Sequence, residues 1–200
     1  MLIAKDLTFF YQNKITVFNN EAFEINQDDV KKILINLFII DSNNLEKLGE
    51  NDVVIHIRSG DIFISPHPRY IPPPLSYYTK IIEDNKFKNI YIIAENKNNP
   101  CIDKLLECYP NINFKQNNLQ EDIKLLLRAQ NIICSIGTFV PTMMYFTNNV
   151  KNIHFTCWDF TEYLLVSLKC NIIKHDCYQY KSKINKWKNT NDQLYYMLNY

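Results

Sequence analysis

A histidine, an arginine and an aspartate follow one another closely in VVIHIRSGD, at residues 53–61. The apolar residues before them predict a buried β-strand, so His56, Arg58 and Asp61 would stand where that strand ends. Arginine presents a planar fork of donors that fits a phosphate group bidentately. The stretch therefore predicts an anion site at Arg58, and a local ion pair between Arg58 and Asp61 is the alternative interpretation.

A second candidate anion site occurs in the stretch NIICSIGTFVPTM, at residues 131–143. An apolar strand there leads into Ser135, Gly137 and Thr138, and a helix is predicted to follow. Free backbone amides at a helix N-terminus bind phosphate, and the two hydroxyls would add donors. The alternative is that Thr138 only caps the helix.

Two acids and one histidine are further candidates. Glu95 ends the apolar stretch IYIIAEN, where it could accept a hydrogen bond from a ribose hydroxyl or a base edge, or else cap the next helix. Asp122 is near the start of LQEDIKLLL, where it is either a ligand contact or an ordinary first-turn helix acid. His67 lies in the proline-rich stretch SPHPRYIPPP and could accept a proton, although an exposed loop histidine is the simpler interpretation.

Strands alternate with helices from residue 53 onward, and this alternation explains how the candidate side chains could meet. Strands that are apolar along their whole length are typical of a parallel sheet covered on both faces. In such a sheet, ligands bind beyond the carboxyl ends of the strands. We therefore predict an α/β fold, with a Rossmann-like parallel sheet flanked by helices and the candidate residues along one edge.

Composition and spacing exclude several classes of protein. The 200 residues include 22 Lys and Arg against 21 Asp and Glu, a net charge of +1, which gives no electrostatic case for general nucleic-acid binding or a polybasic membrane surface. The apolar runs are too short for a membrane span, which needs about 20 residues. The N-terminus lacks a signal-peptide pattern, which favours the cytoplasm. The six cysteines lack the two-residue gaps of zinc knuckles, and the glycine motifs of P-loop and dinucleotide sites are missing.

The order of these pieces resembles the fucosyltransferase superfamily, which covers α1,2-, α1,6- and protein O-fucosyltransferases. His56, Arg58 and Asp61 match its His-x-Arg-x-x-Asp motif in the form HIRSGD. The stretch EDIKLLLRAQ followed by ICSIGTF is similar to the family's acidic helix and Ser/Thr-rich turn, and IYIIAEN followed by DKLLECYPNINF matches the order of its donor side. The resemblance covers about residues 50–156.

The resemblance implies a GT-B glycosyltransferase whose carboxyl-terminal, Rossmann-like domain binds the donor GDP-fucose. His56 and Arg58 would hold the donor phosphates, with Arg58 neutralising charge on the departing GDP. Ser135, Gly137 and Thr138 would cradle the β-phosphate. The family is generally metal-independent, so the expectation is no cofactor and no metal, because an arginine and a helix N-terminus can stabilise a leaving diphosphate.

The remaining roles stay open within the resemblance. Asp122 or Glu95 would contact the nucleoside. The first choice for the catalytic base is Asp61, although Asp61 could equally orient Arg58, and the second choice is His67.

The predicted domain organisation departs from a complete GT-B enzyme, which needs two Rossmann-like domains with the acceptor between them. Residues 1–50 are interpreted as an N-terminal extension or a reduced acceptor-side subdomain, residues 51–180 as the nucleotide-sugar-binding domain, and residues 181–200 as a C-terminal tail. A partner chain could supply the acceptor site. Ser59 is a second departure, because many members of the family have another arginine there.

The resemblance therefore implies inverting fucosyl transfer from GDP-fucose to a hydroxyl of a glycan or a protein. The first alternative is a non-catalytic nucleotide-sugar or glycan-binding module derived from such an enzyme. The second is a structural α/β domain in which Arg58 and Asp61 are paired internally.

Overall fold

The computed structural model describes residues 45–157, 165 and 168–200, with Lys32 and Asn36 as isolated positions. The sequence predicts two short strands, in KDLTFFYQ and KITVFNN, and a helix in DDVKKILINLFIID, and all of these apart from Lys32 and Asn36 lie outside the described residues. The sequence also predicts a helix in DFTEYLLVSLKC, and most of that stretch lies outside the described residues as well.

Six parallel strands of the described chain form one sheet, in the order β3-β2-β1-β4-β5-β6. The strands are β1 (Asp52–His56), β2 (Asn89–Ile93), β3 (Ile112–Phe114), β4 (Asn131–Ile133), β5 (Asn152–Thr156) and β6 (Asn171–His175). The chain builds outward from β1 to β3 and then returns to the other side of β1 for β4. The predicted α/β fold with a Rossmann-like parallel sheet is confirmed, and its strand order reverses between β1 and β4.

Helices cover both faces of this sheet. They are α1 (Asp61–Ile64), α2 (Leu75–Asn85), α3 (Cys101–Cys108), α4 (Leu119–Arg128), α5 (Phe139–Met143), α6 (Tyr178–Ile184) and α7 (Asn191–Asn199), and a 3₁₀ turn (Met144–Phe146) continues α5. Helices α2, α3, α6 and α7 contribute to one buried apolar cluster, whereas α4 and α5 contribute to the other. Among the described residues, no helix combines the length and the apolar character needed to cross a membrane.

Alternation along β1 decides which side chain reaches which face. Val53 and Ile55 join the cluster with α2 and α3, whereas Val54 joins the cluster with α4 and α5. Because successive side chains of a strand point to opposite faces, His56 follows Val54 to the side of α4 and α5. The ring of His56 accordingly lies 5.7 Å from that of Phe139 in α5, between centroids.

Asparagines tie the strands together at the amino-terminal edge of the sheet. Asn171 Nδ2 donates to Asn152 Oδ1 at 2.9 Å, and Asn152 Nδ2 donates to Asn131 Oδ1 at 2.7 Å. Asn131 Nδ2 donates to the backbone oxygen of Asp52 at 2.9 Å, and Asn89 Nδ2 donates to Asp52 Oδ1 at 2.7 Å. This asparagine ladder links β2, β1, β4, β5 and β6 in one register, at the edge opposite the candidate residues.

Residues 181–200 contribute to the core. Trp187 and Met197 are buried within the cluster that includes α2 and α3. Trp187 Nε1 donates to the backbone oxygen of Ile62 at 2.8 Å, and Asn189 Nδ2 donates to that of Phe63 at 2.7 Å. The C-terminal segment therefore holds α1, the short helix that follows Arg58.

A candidate ligand-binding crevice

A cavity of about 500 Å³ opens at the carboxyl ends of the strands beside the β1–β4 reversal, and we call it the crevice. Sheets of this topology bind ligands at such a point, because the loops diverge there and leave space. Its volume lies within the range of about 300–1,000 Å³ that is typical of ligand pockets. Seven of the candidate residues line it, namely His56, Arg58, Asp61, Glu95, Asp122, Gly137 and Thr138.

Arg58 has neighbours on three sides within the crevice. Its Nη2 lies 2.8 Å from Asp61 Oδ2, and its Cζ lies 4.4 Å from the centre of the Tyr70 ring. On the third side is Gly137, where an added Cβ would stand 2.8 Å from Arg58 Nη1. Gly137 has φ +111°, a conformation that glycine adopts without strain, so the turn between β4 and α5 can approach the guanidinium closely. The two candidate anion sites of the sequence therefore meet at Arg58.

The local ion pair between Arg58 and Asp61 is present, and the crevice is open beside it. Arg58 is 23% exposed and Asp61 63% exposed. A pair with so exposed a carboxylate is strongly screened and contributes little to folding stability. Pairing with Asp61 and contact with a ligand are thus compatible roles for Arg58.

His56 lies inside the crevice as a neutral imidazole. Burial, with the positive charge of Arg58 as the second cause, lowers the pKa of His56 to about 4. Its Nδ1 atom is buried, and no described residue hydrogen-bonds to it. At neutral pH, His56 could therefore meet a phosphate only as a neutral hydrogen-bond donor and not as an ion-pair partner.

Glu95 lies against the backbone of the turn after β1. The carboxylate occupies the space that a Cβ on Gly60 would need, and Gly60 has φ +64°. Both features require glycine at this position. Glu95 is exposed and lines the crevice, so its carboxylate is accessible to a ligand.

Asp122 is a buried carboxyl at the start of α4. It is 9% exposed, and Asn117 Nδ2 donates to its Oδ1 at 3.1 Å. Burial raises the pKa of Asp122, and the hydrogen bond from Asn117 opposes that shift. The side-chain cap of α4 is Asn118, which accepts from the backbone N–H of Glu121. Asp122 is therefore not the capping residue of α4, and its carboxyl group is available to a ligand in the crevice.

Ser135 does not line the crevice. Its neighbour Cys134 joins the apolar cluster of α4 and α5, so alternation directs Ser135 to the opposite face of the sheet, where it is 2% exposed. Ser135 also bonds to β1, because its backbone N–H donates to the oxygen of His56 at 3.0 Å.

His67 is exposed and also lies outside the crevice lining. Its ring packs against Tyr70 at 5.1 Å between centroids, and its Nδ1 accepts from the backbone N–H of Arg69 at 3.3 Å. Because Tyr70 in turn contacts Arg58, His67 is connected to the crevice through one intervening ring.

Thr138 is exposed at the start of α5. Its side chain does not make a helix-capping hydrogen bond. The α-helix it precedes has five residues, continued by the 3₁₀ turn. So short a helix has a weak dipole, and the positive contribution at this end of the crevice comes mainly from Arg58.

The sequence did not single out Tyr70, Asn117, Leu119 or Phe139, which contact Arg58 or line the crevice. Tyr70 lies in a proline-rich loop whose path no sequence pattern specifies. For Asn117 and Leu119, the available signal was their position just before Asp122 at the start of a predicted helix.

Among the described residues, no group of three or more His, Cys, Asp and Glu side chains is placed to hold a metal ion.

No family model matches the chain, and no curated protein matches it. Among solved structures, the chain is similar to POFUT1 in complex with GDP, with 10% sequence identity and a TM-score of 0.36. The match covers 73% of this chain and 45% of the POFUT1 chain, so the chain spans less than half the length of that protein.

Proposed function

We propose that the crevice binds the diphosphate of the nucleotide sugar GDP-fucose, and that the chain transfers fucose from it, with inversion, to a hydroxyl of a glycan or a protein. The observation that carries this proposal is the close approach of Gly137 to the Arg58 guanidinium at the strand-order reversal, which leaves no room for a Cβ. The arginine of the HIRSGD stretch and the turn of the ICSIGTF stretch lie far apart in sequence and are adjacent here.

Charge supports a diphosphate at this end of the crevice. The guanidinium of Arg58 is 23% exposed, so a ligand can reach it. In the transition state of glycosyl transfer, negative charge grows on the leaving diphosphate, and a fixed arginine stabilises it without reorganisation. A neutral His56 adds a hydrogen-bond donor there, and no metal is required by this arrangement.

Two acidic groups in the lining of the crevice support a nucleoside as the second part of the ligand. Asp122 and Glu95 line the crevice, and neither forms an ion pair with another described residue. Carboxylates accept hydrogen bonds from ribose hydroxyls and from the N–H groups of a base edge. The crevice thus combines a cationic group with hydrogen-bond acceptors, which together suit a nucleoside diphosphate.

Calorimetric titration with GDP tests the binding step. We expect Arg58→Ala to weaken GDP binding by about 10- to 100-fold, because a charge-assisted hydrogen bond contributes about 1.5–3 kcal/mol. Arg69→Ala, which removes an exposed arginine from the neighbouring loop, is the matched control and should bind GDP like the unchanged protein. Absence of a GDP signal, or equal effects of the two substitutions, would contradict the proposal.

Transfer of labelled fucose from GDP-fucose to a panel of glycan and protein acceptors tests the chemical step. Arg58→Ala should lower the rate by about 10² to 10³, the effect of removing one donor that stabilises developing charge. The same Arg69→Ala control applies. A rate that Arg58→Ala leaves unchanged would place the chemistry elsewhere.

A nucleotide-sugar-binding module without transfer is the second candidate function, and the contacts of Asp61 favour it. Asp61 Oδ2 pairs with Arg58 Nη2 at 2.8 Å, and Asp61 Oδ1 accepts from the backbone N–H of Ile62 at 2.9 Å. Both carboxylate oxygens are thus engaged, which suits a group that orients Arg58 better than one that removes a proton. GDP binding with no turnover on any acceptor would support this candidate.

A further inference from the structure

The segment that carries Arg58 is fixed by an asparagine of the loop between β2 and α3. Asn99 is fully buried, and its Nδ2 donates to the backbone oxygen of Arg58 at 3.0 Å. The backbone N–H of Asn99 donates to Ser59 Oγ at 3.0 Å, and Asn99 Oδ1 accepts from the backbone N–H of Cys101 at 3.0 Å. One side chain therefore joins the residue that bears the guanidinium to the first turn of α3.

A second asparagine of the same loop holds the next two residues. Asn96 Oδ1 accepts from Ser59 Oγ at 2.6 Å and from the backbone N–H of Gly60 at 3.2 Å. It also accepts from the backbone N–H of Asn98 at 2.9 Å, which fixes the loop itself. Ser59 lines the crevice but is only 2% exposed, and its hydroxyl is engaged by both asparagines.

These bonds set the direction in which Arg58 leaves the backbone. The chain between β1 and α1 lacks regular structure of its own, so its conformation depends on bonds to other segments. The oxygen of Arg58, the hydroxyl of Ser59 and the N–H of Gly60 are all held by one loop, on the C-terminal side of the Arg58 side chain. On its N-terminal side, the backbone N–H of Ile57 donates to the oxygen of Ile93 in β2 at 3.0 Å. Buried hydrogen bonds of this kind are costly to break, because the groups left behind cannot reach water.

We propose that Ser59, Asn96 and Asn99 are positioning residues, which hold the Arg58 guanidinium between Gly137 and Asp61 so that it can bind an anionic ligand. This rests on the proposed function, in which Arg58 contacts the diphosphate. Ser59 is the link between the two asparagines, because it accepts from one and donates to the other.

The test compares Ser59→Ala with Ser59→Thr, which restores a hydroxyl, and with Ser182→Ala as a control on the exposed side of α6. We expect Ser59→Ala to weaken GDP binding by about 5- to 20-fold, the result of losing positioning for a ligand contact. Ser59→Thr should recover most of the affinity, and Ser182→Ala should not change it.

A double-mutant cycle with Arg58→Ala separates positioning from a general structural role. If Ser59 acts through Arg58, Ser59→Ala should weaken GDP binding by less than about twofold when Arg58 is already alanine. Equal effects of Ser59→Ala with and without Arg58 would overturn the inference. So would an unchanged GDP affinity of the Ser59→Ala protein.

A measurement made without ligand, the solvent exchange of the Arg58 Nε–H, tests the positioning role separately from the proposed function. The Arg58 Nε–H resonance, identified by its loss in Arg58→Ala, should exchange with solvent faster in Ser59→Ala than in the unchanged protein or in Ser182→Ala. If the unchanged protein does not bind GDP, the proposed function fails, and the exchange rate alone then decides the positioning role. An exchange rate that Ser59→Ala leaves unchanged would overturn that role.

Discussion

Arg58 is enclosed on one face by the Tyr70 ring, on one edge by the Asp61 carboxylate and at Nη1 by the Gly137 backbone. A cation stacked on an aromatic face keeps its in-plane donors for other partners. A diphosphate that binds bidentately would therefore approach in the plane of the guanidinium, where Asp61 is the exposed and exchangeable neighbour. The side chain is oriented before any ligand arrives, which lowers the entropy cost of binding.

Gly137→Ala should lower both GDP affinity and folding stability. A Cβ at this position would stand 2.8 Å from Arg58 Nη1, and φ +111° is strained for any residue with a side chain. The guanidinium would have to move away from the turn, so we expect GDP affinity to fall by at least about tenfold. Calorimetry on the folded protein measures affinity, and a thermal melt measures stability.

Gly49→Ala provides the control for that substitution. Its Cβ would stand 3.0 Å from Asp52 Oδ2, at the amino-terminal edge of the sheet and away from the crevice. It should leave GDP affinity unchanged even if it lowers the melting temperature. If Gly137→Ala kept full GDP affinity, the close approach of this turn to Arg58 would have no part in binding.

Among the secondary-structure elements, β1, β2 and β4 could be predicted from continuous apolar runs, because strands buried on both faces tolerate few polar residues. The stretches INFK and VKNIHFT predict β3 and β5 through the alternation of strands with helices, although β3 is an edge strand with an exposed central residue. Strand β6 was missed because it lies at the edge of the sheet, where its residues are partly or fully exposed and its pattern is mixed. Helix α1 was missed because its four residues, DIFI, are too few to show a helical period.

The same reasoning explains which site residues the sequence could predict. The end of a predicted strand identifies the edge of the sheet at which His56 and Arg58 lie. The face of the sheet to which each side chain points depends on its exact position along the strand. For Ser135, one residue of register separates the crevice from the opposite side of the sheet. Asn99 and Tyr70 could not have been predicted, because they act through contacts between loops that no local pattern encodes.

The asparagine ladder should contribute measurably to stability. Asn152→Ala removes the bonds to both Asn131 and Asn171. Asn171 is exposed and can bond to water instead, whereas the amide oxygen of the buried Asn131 loses its donor. We expect the free energy of unfolding to fall by about 1–3 kcal/mol, the cost of unsatisfied polar groups. Urea denaturation measures this change.

Asn113→Ala is the matched control, because Asn113 is an exposed asparagine of the edge strand β3 and is not part of the ladder. Its effect on the free energy of unfolding should stay within about 0.5 kcal/mol, as for most surface substitutions. Equal effects of the two substitutions would show that the ladder adds nothing to stability.

For the molecule as a whole, one buried and two half-buried histidines should make the fold sensitive to acid. Burial is the main cause that lowers the pKa of both His56 and His154 to about 4, and it also lowers the pKa of His175. His154 Nδ1 and His175 Nε2 are 2.9 Å apart, so protonating both rings would bring two positive charges into contact. The folded protein therefore keeps these rings neutral at pH values where an unfolded chain would already bind protons.

The sign of the pH dependence follows from these lowered pKa values. Above about pH 6.5, the usual pKa of histidine, the rings are neutral in both the folded and the unfolded chain, and the free energy of unfolding has its full value. As the pH falls toward about 4, the unfolded chain binds protons that the folded chain does not, so the free energy of unfolding decreases. Urea denaturation between pH 7 and pH 4 should therefore show a falling free energy of unfolding, by about 1.4 kcal/mol per pH unit for each ring at most. His154→Gln should reduce this slope.

His67→Gln is the control for the pH experiment, because His67 is exposed. It should leave the slope unchanged. A slope that His154→Gln also leaves unchanged would assign the acid sensitivity to other groups.

The reversal of strand order has a consequence for the folding kinetics. Asn89 and Asp52, which join β2 to β1, are 37 positions apart in the chain, whereas Asn131 and Asp52, which join β4 to β1, are 79 apart. Closing the longer loop costs more chain entropy, so pairing of the first three strands is expected to precede the arrival of the fourth. The turn that contains Gly137, which follows β4, would then reach its place late in folding. A partly folded chain would already have the HIRSGD turn in place but could not yet hold a nucleotide between the two turns.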